Sequence, residues 1–357
     1  MNKQSTSYKV LGIMSGTSLD GIDLCIASYN LINQQWSYNI IAAKTLPYSN
    51  KWKQQLINCE TASGEELIKL HFEYGAFLGK AAFNFINESK ETIDFISSHG
   101  HTIFHQTENG FTFQLGHGAA IAANSKHQVI SDFRSQDVAL GGQGAPLVPV
   151  GDYELFSDYA CCINLGGICN FSYQLNDKLL AYDIAPCNMV LNYLMKKYFS
   201  KEYDSNGDVA KTGKTNHTLL SHLNELEYYR KKPPKSLGKE WIFQQVIPLI
   251  ELQNILPEDK LNTFTFHIAS QLLKAIEKEQ IKGKILLSGG GTKNLFLINQ
   301  LKKCGVKGFI PDEELIDFKE ALIFGYLGIK RLRKEINVHK SVTASSKNTS
   351  SGSIFLP

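Results

Sequence analysis

Apolar runs broken by short polar turns make up most of the first half of the chain. The segments "YKVL" and "LCIASY" flank residues 12–23 and predict the two strands of a hairpin. A third strand is predicted at 37–46, and helical spacing of apolar residues predicts a helix over 64–88. Further along, the pattern predicts strands at 93–100, 101–106 and 110–116, a small helix at 117–125 and a strand at 128–134.

The second half of the chain repeats this organisation after a glycine-rich segment at 140–149. It reopens with two apolar strands around Gly166 and Gly167, followed by a strand ending in "LLAYD". Several helices, the strand–turn–helix segment "KILLSGGGTKN" and a final helix near 317–334 complete the pattern. Two halves that each open with a glycine-turn hairpin predict a duplicated α/β architecture with a cleft between the halves.

The turn of the first hairpin, "GIMSGTSLDGID", is rich in backbone donors, hydroxyls and carboxylates. Consecutive N–H groups in such a turn bind anions, so we predict a phosphate-binding loop. Its residues are Gly16, Thr17, Ser18, Leu19, Asp20, Gly21, Ile22 and Asp23. The turn is not a P-loop, because Ile22 and Asp23 stand where Lys and Ser/Thr are required and a strand follows instead of a helix.

Two further glycine turns are candidates for the same nucleotide. The second contains Gly166, Gly167 and Asn170, and the third contains Gly289, Gly290, Gly291 and Asn294, where a helix begins. Three such turns could converge on ATP, although each alone is also explained as a simple chain reversal. Asp20 and Asp23 could hold Mg²⁺ through water, while Asp20 could equally be a turn-forming residue.

Composition limits the class of protein. The net charge is only +3, from 37 basic and 34 acidic residues, so we expect no nucleic acid partner. The longest apolar run, at 321–329, is much shorter than the roughly 20 residues of a membrane span, and no signal peptide is apparent. Seven cysteines without a CxxC pair predict buried, reduced thiols in a cytoplasmic protein.

The motif "GIMSGTSLDGID" resembles the signature of the anhydro-N-acetylmuramic acid kinases. Other blocks resemble that family in its order: "SSHGHTIFH", "FTFQLG", "SDFRSQDVALGGQGAPLVP", "INLGGICNF", "YDIAPCNMVLN", "PPKSLGKE", "LLSGGGTKN" and "FKEALIFGYLG". The resemblance implies an α/β fold of two RNase-H-like domains, of the actin/hexokinase type, with ATP and substrate in the interdomain cleft. We place the first domain at 1–133 plus 335–357 and the second at 134–334.

The resemblance also implies a reaction. Family members use ATP, with Mg²⁺, to open the 1,6-anhydro ring of anhydro-N-acetylmuramic acid with water and to phosphorylate O6. The products are N-acetylmuramic acid 6-phosphate and ADP, in the recycling of bacterial cell wall. A homodimer is a further implication. The alternatives are an actin-like-fold kinase of another sugar or acid and a nucleotide-binding regulator of the same fold.

Several residues match the family's functional positions. Asp183 resembles the catalytic base, although a helix N-cap is the alternative interpretation of this aspartate. Arg134 is our candidate for the lactyl carboxylate of the sugar, and a salt bridge with Asp132 or Asp137 is its alternative. Glu320 could accept a hydrogen bond from a sugar hydroxyl or could lie on a solvated helix face. His99 and Gln114 are further candidates for substrate binding.

The chain departs from the family pattern at a few of these positions. Ala185 and Cys187 stand where glycines are usual, and Asn192 replaces an aspartate. In "PPKSLGKE", Leu237 and Lys239 replace the usual Thr and Arg. These changes question the local backbone shape and the contacts around Asp183. The histidines of "HGHTIFH" alternate along one strand, but Asp94 is the only candidate carboxylate ligand that precedes them, and we expect no metal there.

Overall fold

The computed structural model describes residues 6–16, 19–233 and 235–357. Its strands are β1 Thr6–Ser15, β2 Gly21–Ile32, β3 Gln35–Pro47, β4 Phe95–Gln106, β5 Phe111–Leu115, β6 Val129–Ser131, β7 Cys161–Leu165, β8 Ile168–Leu175, β9 Lys178–Pro186, β10 Ile285–Ser288 and β11 Ser353–Phe355. Its α-helices are α1 Asn50–Asn58, α2 Gly64–Ser89, α3 Gly118–Ser125, α4 Ser135–Ala139, α5 Pro149–Leu155, α6 Asn188–Phe199, α7 Asp208–Thr212, α8 His217–Asn224, α9 Lys239–Trp241, α10 Ile247–Glu251, α11 Pro257–Lys278, α12 Leu295–Lys303, α13 Glu313–Leu332 and α14 Lys340–Thr343.

The chain divides into two compact units. The first unit comprises residues 1–155 and 318–357, and the second unit comprises residues 156–317. The predicted boundaries at 133/134 and 334/335 differ from this division, because both 134–155 and 318–334 pack within the first unit. The Tyr29 hydroxyl donates to the carbonyl of Leu322 at 2.7 Å, and the Thr343 hydroxyl donates to Asp137 at 2.8 Å. The glycine-rich segment 140–149 therefore lies inside the first unit and does not separate the halves.

The first unit contains a sheet with the strand order β11-β6-β4-β1-β2-β3, and β5 pairs with β4. Strands β1, β2 and β3 are antiparallel neighbours, whereas β4 and β6 continue the sheet parallel to β1. This is the strand arrangement of an RNase-H-like domain. The two strands predicted at 93–100 and 101–106 form the single strand β4.

The second unit has the same arrangement. Strands β7, β8 and β9 are antiparallel neighbours, and β10 pairs with β7 in parallel. A parallel bridge from Leu286 to Phe309 occupies the place of a fifth strand. The predicted duplication of an RNase-H-like α/β domain is therefore confirmed.

Helices cover the sheets as the apolar patterns predict. Helix α2 begins at a capping box in which the Ser63 hydroxyl accepts from the Glu66 N–H and the Glu66 carboxylate accepts from the Ser63 N–H. The predicted strand at 128–134 shortens to β6, because Asp132 adopts a left-handed conformation (φ +59°) before α4. Helix α13 begins at Glu313, before the predicted start near residue 317.

Two global properties concern the class of protein. All seven cysteines are free in the structure, and six of them are buried, which agrees with the prediction of buried thiols. Among the described residues, no helix is both long enough and apolar enough to cross a bilayer.

Candidate active site

The first glycine turn joins β1 to β2 in the first unit. Thr17 and Ser18 lie outside the described residues, so their predicted role in phosphate binding stays a prediction. Leu19 is left-handed (φ +59°), and its N–H donates to the carbonyl of Gly16 at 3.5 Å. Gly21 has a packing reason, because a Cβ there would lie 2.3 Å from the carbonyl oxygen of Leu46. Ile22, which follows it, is a fully buried core residue.

A buried cluster of hydroxyl groups anchors the start of this turn. The Ser15 hydroxyl lies 2.6 Å from the Tyr48 hydroxyl and 2.9 Å from Nδ1 of His101, and it accepts from the Tyr74 hydroxyl at 2.9 Å. Burial lowers the pKa of His101 to about 4, so this imidazole is neutral. The sequence pattern did not indicate this cluster, because its members come from four separate parts of the chain: β1, the segment after β3, α2 and β4.

The two candidate metal ligands differ in their surroundings. Asp20 is exposed at the turn, and its carbonyl accepts from the Tyr48 N–H at 3.3 Å. Asp23 lies within β2, where its carboxylate accepts from the Thr45 hydroxyl at 2.6 Å. Across the described ranges, no three His, Cys, Asp or Glu side chains gather as a metal site. This donor set fits Mg²⁺ held largely by phosphate oxygens and water, the usual arrangement for nucleotide-bound Mg²⁺.

Arg134 and His99 form a hydrogen-bonded pair in the first unit. Arg134 Nε donates to His99 Nε2 at 2.9 Å, and one terminal nitrogen donates to the carbonyl of Gly144 at 2.5 Å. His99 Nδ1 lies 2.9 Å from the carbonyl of Gly100, so the neutral tautomer carries its proton on Nδ1. Burial, and then the charge of Arg134, hold the pKa of His99 well below its usual range.

The structure contains no salt bridge between Arg134 and either Asp132 or Asp137, which was the alternative interpretation of this arginine. Within the described ranges, no carboxylate lies within 4.0 Å of the guanidinium, and its second terminal nitrogen has no partner. Burial lowers the pKa of Arg134 to about 10, which leaves it charged at neutral pH. A partly buried guanidinium with one open edge is suited to a carboxylate ligand.

Glu320 and Gln114 are also in the first unit. Glu320 lies on α13 with its side chain accessible to solvent, and the charge of Arg134 is near enough to act on its carboxylate. Gln114 lies on β5, and its Nε2 donates to the Thr112 hydroxyl at 2.9 Å. Its Oε1 is buried and has no partner among the described residues, so this amide has an acceptor available.

The second and third glycine turns lie side by side in the second unit. Strands β7 and β10 are parallel neighbours with Asn164 opposite Ser288, so the turns that follow them meet at one sheet edge. Gly289 is required there, because it is left-handed (φ +83°) and a Cβ would lie 2.3 Å from Asn164 Oδ1. Gly167 and Gly290 are exposed at this edge.

The carbonyl groups of the second turn are already used. Gly167 O accepts from the N–H groups of Cys187 and Met189 at 2.9 and 3.1 Å, and Gly166 O accepts from the N–H of Asn188 at 3.1 Å. The Asn188 amide also donates to the carbonyl of Leu165 at 3.0 Å. Sequence reasoning missed Asn164 and Asn188 as residues that shape these turns. The polar positions next to the turn and at the start of α6 were the available signal.

Two asparagines named from the sequence have structural roles here. Asn294 Oδ1 accepts from the Leu297 N–H at 2.9 Å and caps α12, so that oxygen is engaged by the helix. Asn170 lies opposite Asp183 in the pairing of β8 with β9, next to a register shift at Cys169. Asn170 is therefore a close neighbour of the candidate base.

Asp183 lies within β9, which continues past it to Pro186, so it does not end its strand as predicted. It does not cap α6 either, because the cap position of that helix is Cys187. Its Oδ2 accepts from the Leu237 N–H at 2.8 Å, and its carbonyl accepts from the Tyr228 hydroxyl at 2.6 Å. Its Oδ1 has no hydrogen-bond partner in the described part of the chain.

Burial raises the pKa of Asp183 from its ordinary value of 3.8 to about 6, against the lowering effect of the Leu237 N–H. The carboxylate is thus largely ionised at neutral pH, yet it is a stronger base than an exposed aspartate. One oxygen is fixed by the backbone and the other is open. This arrangement suits a group that takes a proton from water.

The departures from the family pattern are tolerated here for identifiable reasons. Neither Ala185 nor Cys187 has a positive φ, so neither position requires glycine. Asn192 is exposed on α6. Leu237 contacts Asp183 through its backbone N–H, which any residue other than proline supplies at that position.

Comparison with known proteins places this chain among sugar kinases of one family. The sequence profile described as anhydro-N-acetylmuramic acid kinase matches residues 8–357. The anhydro-N-acetylmuramic acid kinase of Francisella tularensis subsp. novicida is 34% identical, over 98% of this chain and 99% of its own length. The enzyme of the same name from Clostridioides difficile is 34% identical, over 96% and 97%.

Proposed function

This chain belongs to the anhydro-N-acetylmuramic acid kinase family, and from that membership we propose that it opens the 1,6-anhydro ring of anhydro-N-acetylmuramic acid and phosphorylates O6 with ATP. The observation that carries the proposal in this chain is Asp183, a partly buried carboxylate with one fixed and one open oxygen. The products are N-acetylmuramic acid 6-phosphate and ADP. The proposed setting is cell-wall recycling in the cytoplasm, where ATP is available.

Asp183 is the proposed general base. Its open Oδ1 takes a proton from water as the water oxygen bonds to the anomeric carbon, and the bond between that carbon and O6 breaks. The freed O6 attacks the γ-phosphorus of ATP, and the bond to the ADP leaving group breaks. Phosphoryl transfer needs little covalent help, so positioning and charge stabilisation supply most of the remaining rate.

The first unit supplies the proposed substrate contacts. Arg134 presents the open edge of its guanidinium to the lactyl carboxylate, with His99 holding that guanidinium through Nε. Glu320 accepts from a sugar hydroxyl. Gln114 offers its unpartnered Oε1 to a donor on the sugar. A neutral His99 suits this role, since a second cation beside Arg134 would be repelled.

The glycine turns are the proposed ATP contacts. Backbone N–H groups of 16–23, 166–167 and 289–291 would bind phosphate or adenosine groups. Asp20 would hold Mg²⁺ through water, with Asp23 as the nearby second carboxylate. When bound, Mg²⁺ neutralises charge on the phosphates.

The test is a coupled ADP-release assay with Mg-ATP and anhydro-N-acetylmuramic acid, run beside simple hexoses. We expect ADP only with the anhydro sugar, together with a ring-opened, 6-phosphorylated product by mass spectrometry and NMR. ATP binding without turnover of the anhydro sugar would instead indicate a kinase of another acceptor. ADP release with an intact anhydro ring would remove Asp183 from its proposed role.

A further inference from the structure

A separate cavity of about 200 Å³ lies in the second unit, between β9, α11 and the segment after α8. Tyr182 and Ile184 of β9 line it, whereas Asp183 lies between them in sequence. Because successive side chains of a strand point to opposite faces, the cavity is on the opposite face of β9 from the Asp183 carboxylate. It is therefore distinct from the site of the proposed reaction.

Four cationic side chains surround this cavity, and these are Arg230, Lys235, Lys274 and Lys278. None of the four has a carboxylate within 4.0 Å in the part of the chain that the structure describes. Glu279 directly follows Lys278 in the sequence, but its two carboxylate oxygens accept hydrogen bonds from the Tyr173 and Tyr182 hydroxyls, at 2.7 and 3.0 Å. Among the described residues, the four cationic side chains share one cavity without a carboxylate in direct contact, and the Glu279 carboxylate acts on Lys235 from farther away.

Lys235 is held in place and is not a freely solvated lysine. Its Nζ donates to the carbonyl of Tyr228 at 3.2 Å and lies 4.3 Å from the centre of the Tyr228 ring. Burial, and then the charge of Lys278, lower the pKa of Lys235 to about 8. Lys235 therefore stays mostly protonated at neutral pH, and an anion entering the cavity would stabilise its ammonium form.

The lining of the cavity also includes polar groups fixed by hydrogen bonds. Asn224 Oδ1 accepts from Gln271 Nε2 at 2.7 Å and lies 2.9 Å from His267 Nδ1. The Tyr229 hydroxyl lies 2.7 Å from His267 Nε2. These bonds give the cavity a preformed wall, which is a property of ligand sites.

We propose that this cavity binds a small phosphate-bearing anion. Several cations in a space smaller than most nucleotide pockets favour a compact, multiply charged ligand. Lys235 also connects the cavity to the candidate base, since its carbonyl accepts from the Asp183 N–H at 3.2 Å. The proposal goes beyond the proposed kinase activity and does not depend on it.

The test is calorimetric titration of the full chain with inorganic pyrophosphate at low salt. A non-hydrolysable ATP analogue with Mg²⁺ is present at saturation, to occupy nucleotide sites. Lys274 and Lys278 are exposed and make no side-chain hydrogen bonds that the fold requires, so the double variant Lys274→Gln/Lys278→Gln is the probe. The matched control is Lys282→Gln/Lys284→Gln, which removes the same charge from exposed positions that do not line the cavity.

We expect the wild-type chain to bind pyrophosphate and the probe variant to bind it at least about tenfold more weakly, since each charge-assisted hydrogen bond is worth roughly that factor. The control variant keeps its affinity within about twofold. Absent binding to the wild type, or equal affinity of the two double variants, overturns the proposal. Titration with glucose 6-phosphate distinguishes the two kinds of phosphate ligand. If it binds more tightly than pyrophosphate, the ligand is a sugar phosphate, and if it binds more weakly, the ligand is a free polyphosphate.

Discussion

The two hairpins that open the two units have the same topology and different turns. In the second unit, the turn is Gly166–Gly167, and its carbonyls accept three N–H groups from the start of α6. In the first unit, the turn spans 16–20 and follows Ser15, which is anchored by buried phenol and imidazole groups. The short turn of the second unit is thus held by the start of a helix, whereas the residue that precedes the long turn of the first unit is held by buried side chains.

The candidate functional groups of the two units, Arg134 and Asp183, also differ in how the surrounding residues hold them. In the first unit, Arg134 is held by His99 and Gly144, so its direction is fixed before any ligand arrives. In the second unit, Asp183 has one unpaired oxygen and a raised pKa. The first arrangement suits the binding role proposed for Arg134, and the second suits the catalytic role proposed for Asp183.

The strongest way to test this difference is Asp183→Asn. Loss of a general base typically costs about 10²–10⁴-fold, so we expect kcat for the anhydro sugar to fall by that factor while ATP affinity is unchanged. The measurements are coupled ADP release and calorimetric ATP titration. Asp177→Asn, at the exposed turn between β8 and β9, is the matched control and keeps full activity. A fully active Asp183→Asn enzyme would contradict the assignment.

Arg134→Ala tests the binding half of the comparison. Removing a charge-assisted contact costs about 1.5–3 kcal/mol, so we expect kcat/KM for the sugar to fall roughly 10- to 150-fold, mainly through KM. Arg134→Lys recovers part of the loss, because lysine restores charge without the bidentate geometry. Initial rates across sugar and ATP concentrations separate the two KM values. A rise in KM for ATP with no change for the sugar would move Arg134 out of the substrate site.

The raised pKa of Asp183 also predicts an effect on stability. Between about pH 4 and 6 the folded state binds a proton that the unfolded chain has released, so the contribution of Asp183 to stability falls as pH rises through this window. At pH 7 the ionised carboxylate is therefore destabilising. We expect Asp183→Asn to increase the free energy of unfolding at pH 7 by about 3 kcal/mol, with little gain at pH 4. Urea denaturation at both pH values measures this, and a gain of equal size at pH 4 would refute the linkage.

The fold was more predictable than the site, for a physical reason. Hairpin turns and helix periods are local, so the duplicated topology followed from short windows of sequence. The boundaries of the two units could not be predicted from local sequence, because they depend on contacts between residues far apart in the chain. One such contact is the hydrogen bond from the Tyr29 hydroxyl to the carbonyl of Leu322 in α13. In the same way, Asp183 was recognisable within its motif, whereas its partner Leu237 is 54 residues away. The backbone contact between them leaves no trace in side-chain identity.

That backbone contact predicts the smallest effect. Leu237 replaces the threonine usual in the family, but the group that reaches Asp183 is the Leu237 N–H, which threonine also supplies. We therefore expect Leu237→Thr to leave kcat unchanged within about twofold. The pH at which kcat/KM is half-maximal on its acid side should also stay the same, within a few tenths of a pH unit. Leu237→Pro removes the N–H and would raise the pKa of Asp183 further, moving that acid limb to higher pH. A large change in Leu237→Thr would mean that the side chain at 237, and not its backbone, sets the properties of the base.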